Sequence, residues 1–532
     1  MRNLSISPSQ SEKPNYKQLL GYGLVLVLIF LLVSSSSLHY WDEYFYIYSV
    51  KLHEPSALLI MEKDLTGFFP PGFFSAKVGF IYLLDQIVDL TGDGQSALYI
   101  VQAIFSFITI LFVIISYFFL ALLLPQRDAV AVSIVLLFSP LVMYFSGKVL
   151  TEVPSLPLVV FASYCFLKSF DKSPAGKWLF VWIATAIVFL FLATWVRFIS
   201  VIFFAGMIFG LFVMHNERFP FWSVFFRATI TGTASAILLV IVWFAVLDDP
   251  VGSITGLLGH LVERPQSIVI RLYAVAVFIQ FFAFYLIFAL LRPWSPVHRF
   301  AIVWLLFTTV PFLIGSSYAE PRFFYMALIP FSILVWLGMT RLADLWPKIF
   351  AGNRGWVVFA LLVGLNRGFL VPLMPSEHDQ DAYRSLMDKS IAEGDSQYLV
   401  SWLSDYTLLR LMFPDQAIYL TVDWTRNGDK DFLTSASSRK WTGKPGYLAD
   451  VEKLSQLPLP WRYIGWDYNR VIKSSQAYAE LIGLSVDGIR EGQKNHYAIS
   501  WLWQEERLAK TKLFTVENYE IYDVAPVPGM VE

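Results

Sequence analysis

Long apolar stretches, separated mostly by short polar segments, fill the chain up to about residue 375. A helix needs about 20 mostly apolar residues to cross the roughly 30 Å hydrocarbon core of a bilayer. The stretches that meet or approach this length predict about eleven transmembrane helices. They are residues 19–38, 97–124, 129–146, 153–167, 178–195, 198–214, 222–247, 271–291, 300–317, 323–340 and 356–373.

The distribution of Lys and Arg between the loops predicts the orientation. With the N-terminus in the cytoplasm, the loops on that side carry more Lys and Arg than the outer loops, although the outer loops are longer in total. The last predicted crossing then leaves the C-terminal part outside the cytoplasm. Alternatively, the first stretch is a cleaved signal peptide with residues 34–37 as its small-residue site, which leaves the downstream orientation unchanged. We expect an integral protein of the inner or plasma membrane.

The pattern changes to that of a water-soluble domain after about residue 375. Strand-like runs at 398–401, 417–422 and 461–466 alternate with helix-like stretches, and 513–516 with 519–524 predict a hairpin. Alternating strands and helices are typical of a small α/β domain. We therefore expect a polytopic all-α membrane domain, residues 1–375, and an extracytoplasmic α/β domain, residues 376–532. The tryptophans of the second domain are either core residues or side chains that stack on sugar rings.

Composition supports a membrane protein and excludes several other classes. Of 532 residues, 56% are hydrophobic and only 15% are charged, whereas soluble domains carry roughly 25% charged residues. The net charge of -1 gives no general attraction to nucleic acid. The single cysteine, Cys165, lies in an apolar run and excludes an intrachain disulfide, and the 7 histidines show no metal-binding spacing.

Ionisable residues gather at the predicted outer ends of the helices. Asp42 and Glu43 follow the first predicted helix and open a long outer loop, residues 39–96. Three later outer junctions carry Lys148, Glu152, Arg197, Glu320 and Arg322. Charged groups at the membrane face are costly to desolvate and are often functional, although long cationic side chains at helix ends also simply extend to the interface. All these residues lie on the same predicted side of the membrane. We therefore expect them to form one site, which brings a phosphate next to a reacting hydroxyl group.

Four short motifs, in this order, resemble those of the GT-C superfamily of membrane glycosyltransferases. Trp41-Asp42-Glu43-Tyr44 is similar to its Asp-Glu motif, and Pro70-Pro71 to its His/Lys-Pro-Pro element, with Phe69 in place of the His or Lys. Residues 148–157 resemble the second outer loop, and residues 320–324 the basic-aromatic entry to a late helix. The pattern is most similar to protein O-mannosyltransferases and lipid A aminoarabinose transferases, and it extends over about residues 15–375.

The resemblance implies an inverting transfer of a hexose or pentose from a polyprenyl-phosphate donor to an extracytoplasmic hydroxyl of a protein, lipid or glycan. Asp42 would be the general base, and Glu43 would orient the acceptor or the loop. Glu152 would support the acidic cluster or hold a metal, and a divalent ion between Asp42 and Glu152 is compatible with the sequence but not required. The donor phosphate would be bound by three cations: Lys148, Arg197 and Arg322.

Two other functions are open at this point. Intramembrane charges also line the substrate paths of transporters and lipid flippases, but here the charges cluster at outer helix ends and most helix interiors are nearly uncharged. A membrane scaffold that presents the C-terminal domain to partners is the other alternative. Replacing Asp42 by Asn separates these classes, because only an enzyme would lose turnover while folding normally.

Overall fold

The structure is a computed structural model of the chain. It describes residues 43, 46–47, 77–91, 95–171, 177–214, 218–247, 250–252, 255, 268–291, 295–314, 321–373, 380–400, 409, 412–413, 415–420, 454–466, 505–516 and 519–528. The first predicted helix, Asp42, Pro70-Pro71 and Glu320 lie outside the described residues. Within the described residues, every predicted apolar stretch from residue 97 onward is mostly helical.

The described helices follow the apolar pattern along the chain. They are α1 (Val78–Thr91), α2 (Gln95–Leu120), α3 (Gln126–Leu137), α4 (Pro140–Phe145), α5 (Glu152–Lys168), α6 (Lys177–Val196), α7 (Ser200–Met214), α8 (Phe221–Val246), α9 (Ile268–Ile279), α10 (Ala283–Leu290), α11 (Pro296–Ile314), α12 (Leu328–Leu345), α13 (Pro347–Phe350), α14 (Asn353–Leu373) and α15 (Gln380–Ala392). Short 3-10 segments, Gln280–Phe282 and Pro321–Ala327, precede α10 and α12.

Among the described residues, 5 helical segments are long and apolar enough to cross a membrane. They are Leu98–Leu120, Trp178–Val196, Phe221–Val246, Pro296–Ile314 and Arg322–Leu345. The chain is therefore an integral membrane protein. The count of about eleven crossings stays a prediction.

Some of the predicted spans are divided into shorter helical segments. The stretch 129–146 breaks where Pro140 starts α4, and the Ser139 hydroxyl accepts a hydrogen bond from the Val142 backbone N–H at 3.4 Å. Proline suits a first helical position because its missing N–H would lack an intrahelical partner there. The span that contains α12 likewise begins with the 3-10 helix Pro321–Ala327, which includes Arg322.

The segment Arg322–Leu345 lies at the centre of the bundle, with 78% of its most apolar window buried against only 22% for Phe221–Val246. Glycine permits its closest contact. A Cβ atom added at Gly338 in α12 would lie 1.9 Å from the Tyr285 carbonyl oxygen in α10. Small residues let helix backbones approach closely in membranes, where packing rather than water exclusion drives helix association. The contact between α10 and α12 therefore requires glycine at position 338.

Replacing Gly338 by Ala is expected to destabilise the protein by about 3 kcal/mol, the upper part of the usual range for overpacking. The added methyl group meets backbone, which cannot rotate away. Gly364→Ala is the matched control, because nothing lies within 4 Å of a Cβ atom at that helical position. Thermal unfolding of both variants in detergent measures the difference. Equal unfolding temperatures for the two variants would contradict this packing.

The C-terminal region forms a 5-stranded sheet in the order β2-β1-β3-β5-β4. The strands are β1 (Gln397–Val400), β2 (Ile418–Leu420), β3 (Trp461–Trp466), β4 (Leu508–Val516) and β5 (Tyr519–Pro526). β1 is parallel to β2 and β3, whereas β5 is antiparallel to β3 and β4. The predicted strands and the final hairpin are therefore present. Trp461 is a core residue with 3% exposure. The domain boundary at residue 375 stays a prediction.

The sheet and its helix α15 pack on α1 and on the segment before α5. One buried apolar cluster includes Phe80 and Leu84 of α1, Val149 before α5, Tyr383 of α15 and Ile521 of β5. The Arg384 guanidinium of α15 also lies 5.2 Å from the ring centre of Tyr99 near the start of α2. The sheet, α1 and the segment before α5 therefore lie at the same end of the helix bundle.

Candidate functional site

Residues 146–151, here called the linking loop, connect α4 to α5 and contact two groups of charged side chains. Glu152 is the first residue of α5, where the positive end of the helix dipole favours a carboxylate. The Thr151 hydroxyl donates to Glu152 Oε2 at 3.0 Å and accepts a hydrogen bond from Arg197 Nη1 at 2.6 Å. The start of α5 thus orients one buried carboxylate towards a cation from the end of α6.

Two arginines from distant parts of the chain share the Glu152 carboxylate. Arg197 Nη1 lies 2.7 Å from Glu152 Oε1, and Arg322 Nε lies 3.8 Å from the same oxygen. Both guanidinium groups also lie 5.6 Å from the centre of the Phe323 ring. Phe312 of α11 stacks on that ring at an interplanar angle of 4°. The aromatic ring and the single carboxylate therefore hold two cations close together.

Burial makes this arrangement electrostatically strong. Glu152 is 2% exposed, Arg197 9% and Arg322 8%. Charges are screened much less in such an environment than at a protein surface. Removing one partner of a buried pair typically costs about 3–5 kcal/mol, because the other charge remains out of water.

Glu43 and Lys148 form the second group of charged side chains. Lys148 belongs to the linking loop, and Glu43 contacts that loop. Glu43 Oε1 accepts a hydrogen bond from the Val149 backbone N–H at 2.6 Å, across 106 positions of sequence. The Lys148 side chain is buried and lies over the Tyr144 ring, with Nζ 5.5 Å from its centre. Burial lowers the pKa of Lys148 to about 8, and the nearby Glu43 carboxylate opposes that change. Glu43 therefore fixes the linking loop and partly compensates its buried lysine.

The free energy of unfolding is expected to rise with pH above about 8 because of Lys148. Its pKa is about 8 in the folded protein and about 10.5 in the unfolded chain, so the unfolded chain binds more protons between these values. The gain reaches about 3 kcal/mol near pH 10.5 and is lost as the pH falls to 8. Thermal unfolding in detergent across this range should show the rise in wild type and not in Lys148→Met. The same rise in both proteins would rule out this lysine as its source.

The charged cluster, defined as Glu43, Lys148, Glu152, Arg197 and Arg322, brings together the predicted site residues that the structure describes. Its three cations exceed its two carboxylates by one positive charge when Lys148 is protonated. The sequence also named Asp42, which lies outside the described residues. The assigned chemical roles of all these residues stay predictions.

Sequence reasoning missed several polar and aromatic partners. Phe323 stands beside Arg322 in a motif that was recognised, but its proximity to both guanidinium groups depends on tertiary packing. Lys77 donates to the Tyr46 hydroxyl at 2.6 Å, in the segment that follows the first predicted helix. Arg271, interpreted only as the start of a helix, is buried and donates to the Leu313 carbonyl beside Phe312. Among these partners, only Phe323 belongs to a motif that is recognisable in the sequence.

The predicted divalent ion between Asp42 and Glu152 stays a prediction, because Asp42 lies outside the described residues. Within the part of the chain that the structure describes, no three His, Cys, Asp or Glu side chains form a group that could hold a metal. Glu152, one of the two predicted ligands, already faces two guanidinium groups, which would repel a third cation at the same oxygen. We assign no step of the chemistry to a metal.

Solved structures of other proteins are similar to this fold. No family model and no curated protein matches the sequence. The structure is similar to ArnT from Cupriavidus metallidurans in the apo state, with 12% identity and a TM-score of 0.53, over 96% of this chain and 97% of that chain. ArnT from the same organism bound to undecaprenyl phosphate gives 12% identity and a TM-score of 0.53, over 97% and 99%. ArnT is a GT-C superfamily member, and the motif order indicated the same superfamily. This chain therefore has the GT-C fold.

Proposed function

We propose that the protein is a glycosyltransferase that moves a sugar from a polyprenyl-phosphate donor to an acceptor hydroxyl, with inversion at the anomeric carbon. The observation that carries the proposal is the convergence of Arg197 and Arg322 on Glu152, at the end of the bundle covered by the sheet domain. In support, ArnT, which shares the fold, has been solved bound to undecaprenyl phosphate. A lipid-linked donor would also suit a site at one end of a membrane helix bundle.

The two arginines suit the leaving group of this reaction. As the bond between the anomeric carbon and the phosphate oxygen breaks, the electron pair stays on the phosphate and its negative charge grows. Fixed cations in a water-excluded site stabilise developing charge without having to reorganise. The planar guanidinium fork donates paired hydrogen bonds to phosphate oxygens. Arg197 and Arg322 would bind the donor phosphate, and Lys148, held beside Glu43, would add positive charge from the linking loop.

The acceptor hydroxyl needs a base, and Asp42 is our candidate. Its carboxylate would take the hydroxyl proton while the acceptor oxygen forms the new bond to the anomeric carbon. Glu43 is less suited to this role, because its Oε1 already accepts the Val149 backbone N–H and faces a buried lysine. Glu43 would therefore position the linking loop and, through the chain, Asp42. Glu152 would align the arginines.

We further propose that this end of the bundle is extracytoplasmic, with the N-terminus in the cytoplasm. The excess of Lys and Arg in the opposite loops supports the orientation. The sheet domain packs at the same end as the charged cluster, so it would be available to bind or select the acceptor. Labelling of cysteines introduced in exposed positions such as Asp388, with a membrane-impermeant reagent on intact cells, tests the orientation.

The direct test is incubation of purified protein with a panel of polyprenyl-phosphate sugars, hexoses and pentoses, and with extracts that supply acceptors. We expect release of free polyprenyl phosphate from at least one donor, unchanged by a chelator. A transporter or flippase would move the lipid-linked sugar across proteoliposomes without cleaving it. Translocation of intact donor, with no phosphate release from any member of the panel, would refute the transferase.

A further inference from the structure

A polar cavity of about 360 Å³ lies far from the charged cluster. It is lined by the start of α3, the last turns of α12 and the start of α14. Arg322 and Asp344 lie near opposite ends of the segment Arg322–Leu345. At 1.5 Å of rise per residue, they are roughly 30 Å apart along the bundle. The cavity therefore opens at the opposite membrane face from the proposed transferase site.

One wall of this cavity is fixed by close helix packing. Tyr285 of α10 is among the lining residues and is 0% exposed. Its backbone carbonyl lies so close to Gly338 of α12 that no Cβ atom fits there. The packing of α10 on α12 therefore holds this wall in place.

Aromatic and acidic groups give the cavity its chemical preference. The Trp336 and Trp356 rings stack with their centres 5.8 Å apart, and Trp336 Nε1 donates to Asp128 Oδ1 at 3.2 Å. Asp128, Asp344 and a single cation, Arg127, also line the cavity. These described charges sum to one negative charge, and tryptophan faces attract cations. An ammonium group fits this environment, and Arg127 at the rim suits a phosphate attached to it.

The surroundings of the cavity favour a lipid as the source of that group. Leu345, Trp346 and Ile349, directly after the cavity-lining turns of α12, are 43%, 47% and 55% exposed. Exposed tryptophan beside aliphatic side chains is typical of the membrane–water interface. A cavity of this size is also within the usual range for small-molecule sites.

We propose that this cavity binds the head group of a phospholipid that carries a primary ammonium group next to its phosphate, as in phosphatidylethanolamine. The ammonium lies between Asp128 and Asp344 against the tryptophan pair, and the phosphate contacts Arg127. The site is separate from the transferase site and does not depend on that proposal.

Native mass spectrometry of the full chain in detergent tests this site by titration with phosphatidylethanolamine or phosphatidylglycerol of identical acyl chains. We expect about tenfold tighter binding of phosphatidylethanolamine, and loss of that preference in Asp344→Asn and in Asp128→Asn/Asp344→Asn. Asp344 is exposed, so its single variant should fold normally. Asp388→Asn removes the same charge from an exposed position on α15 and should keep the preference.

Three outcomes would overturn the proposal. Equal or tighter binding of phosphatidylglycerol by wild type would exclude an ammonium-selective cavity, as would an unchanged preference in both Asp344 variants. Free phosphoethanolamine serves as competitor in a third arm. If it displaces the lipid at equal concentration, the cavity binds a soluble ligand and the lipid assignment is wrong.

Discussion

Replacing Asp42 by Asn is expected to lower turnover by about 100- to 10,000-fold, the usual contribution of a general base. Asn has nearly the same shape as Asp but does not accept a proton at neutral pH, so folding and donor binding should be retained. The measurement is the rate of polyprenyl phosphate release in the presence of acceptor, together with the thermal unfolding temperature. The loss should be in kcat rather than in the KM for the donor.

Glu43→Gln is the matched control for Asp42→Asn. Gln keeps an acceptor for the Val149 N–H but removes the negative charge beside Lys148. Its main effect should therefore be on stability, with a smaller loss of turnover than in Asp42→Asn. If Asp42→Asn retains turnover while Glu43→Gln loses it, the two roles are reversed and Glu43 is the base.

Replacing Arg322 by Gln is expected to reduce kcat/KM by about 100- to 1,000-fold, as is typical when a group that stabilises developing charge is removed. Its effect on stability should be small, because Arg322 Nε is 3.8 Å from Glu152 and the closer Arg197 remains. Arg197→Gln should lose activity to a similar degree and also destabilise the protein by about 3 kcal/mol, because it leaves Glu152 with a poorly compensated buried charge. Steady-state kinetics and thermal unfolding measure the two effects separately.

Arg218→Gln is the control for the arginine variants. Arg218 Nη2 lies 2.7 Å from Asp171 Oδ1, as close as the pair at Glu152, but the two side chains are 39% and 41% exposed. Exposed ion pairs contribute little, so this variant should resemble wild type in both assays. Arg322→Lys should restore only part of the activity, because lysine keeps the charge without the planar fork. Full activity in Arg322→Gln would remove this arginine from the donor site.

The positions of the membrane helices could be predicted because a bilayer imposes one strict requirement, an apolar stretch of sufficient length. Segments such as 153–167 and 178–195 therefore agree closely with the observed α5 and α6. Likewise, the final hairpin followed from two β-rich runs separated by a short turn. Both signals are local, so a single sequence contains them.

The contacts that build the site are not local. The hydrogen bond from Val149 to Glu43 joins residues 106 positions apart, and no sequence pattern specifies it. The predicted topology placed Glu152, Arg197 and Arg322 on the same side of the membrane. It did not predict that both arginines approach the same carboxylate. The partner of α1 was also not readable, since an amphipathic helix presents the same apolar face to lipid or to a protein domain. Its buried residues in fact pack with the sheet domain.

Photo-crosslinking with a polyprenyl phosphate that carries a diazirine next to the phosphate tests most directly whether the charged cluster is the donor site. Peptide mapping after irradiation should locate the adducts in the linking loop and next to Arg197 and Phe323, and Arg322→Gln should weaken the labelling. Adducts confined to the opposite end of the bundle, around Trp336 and Trp356, would contradict the account.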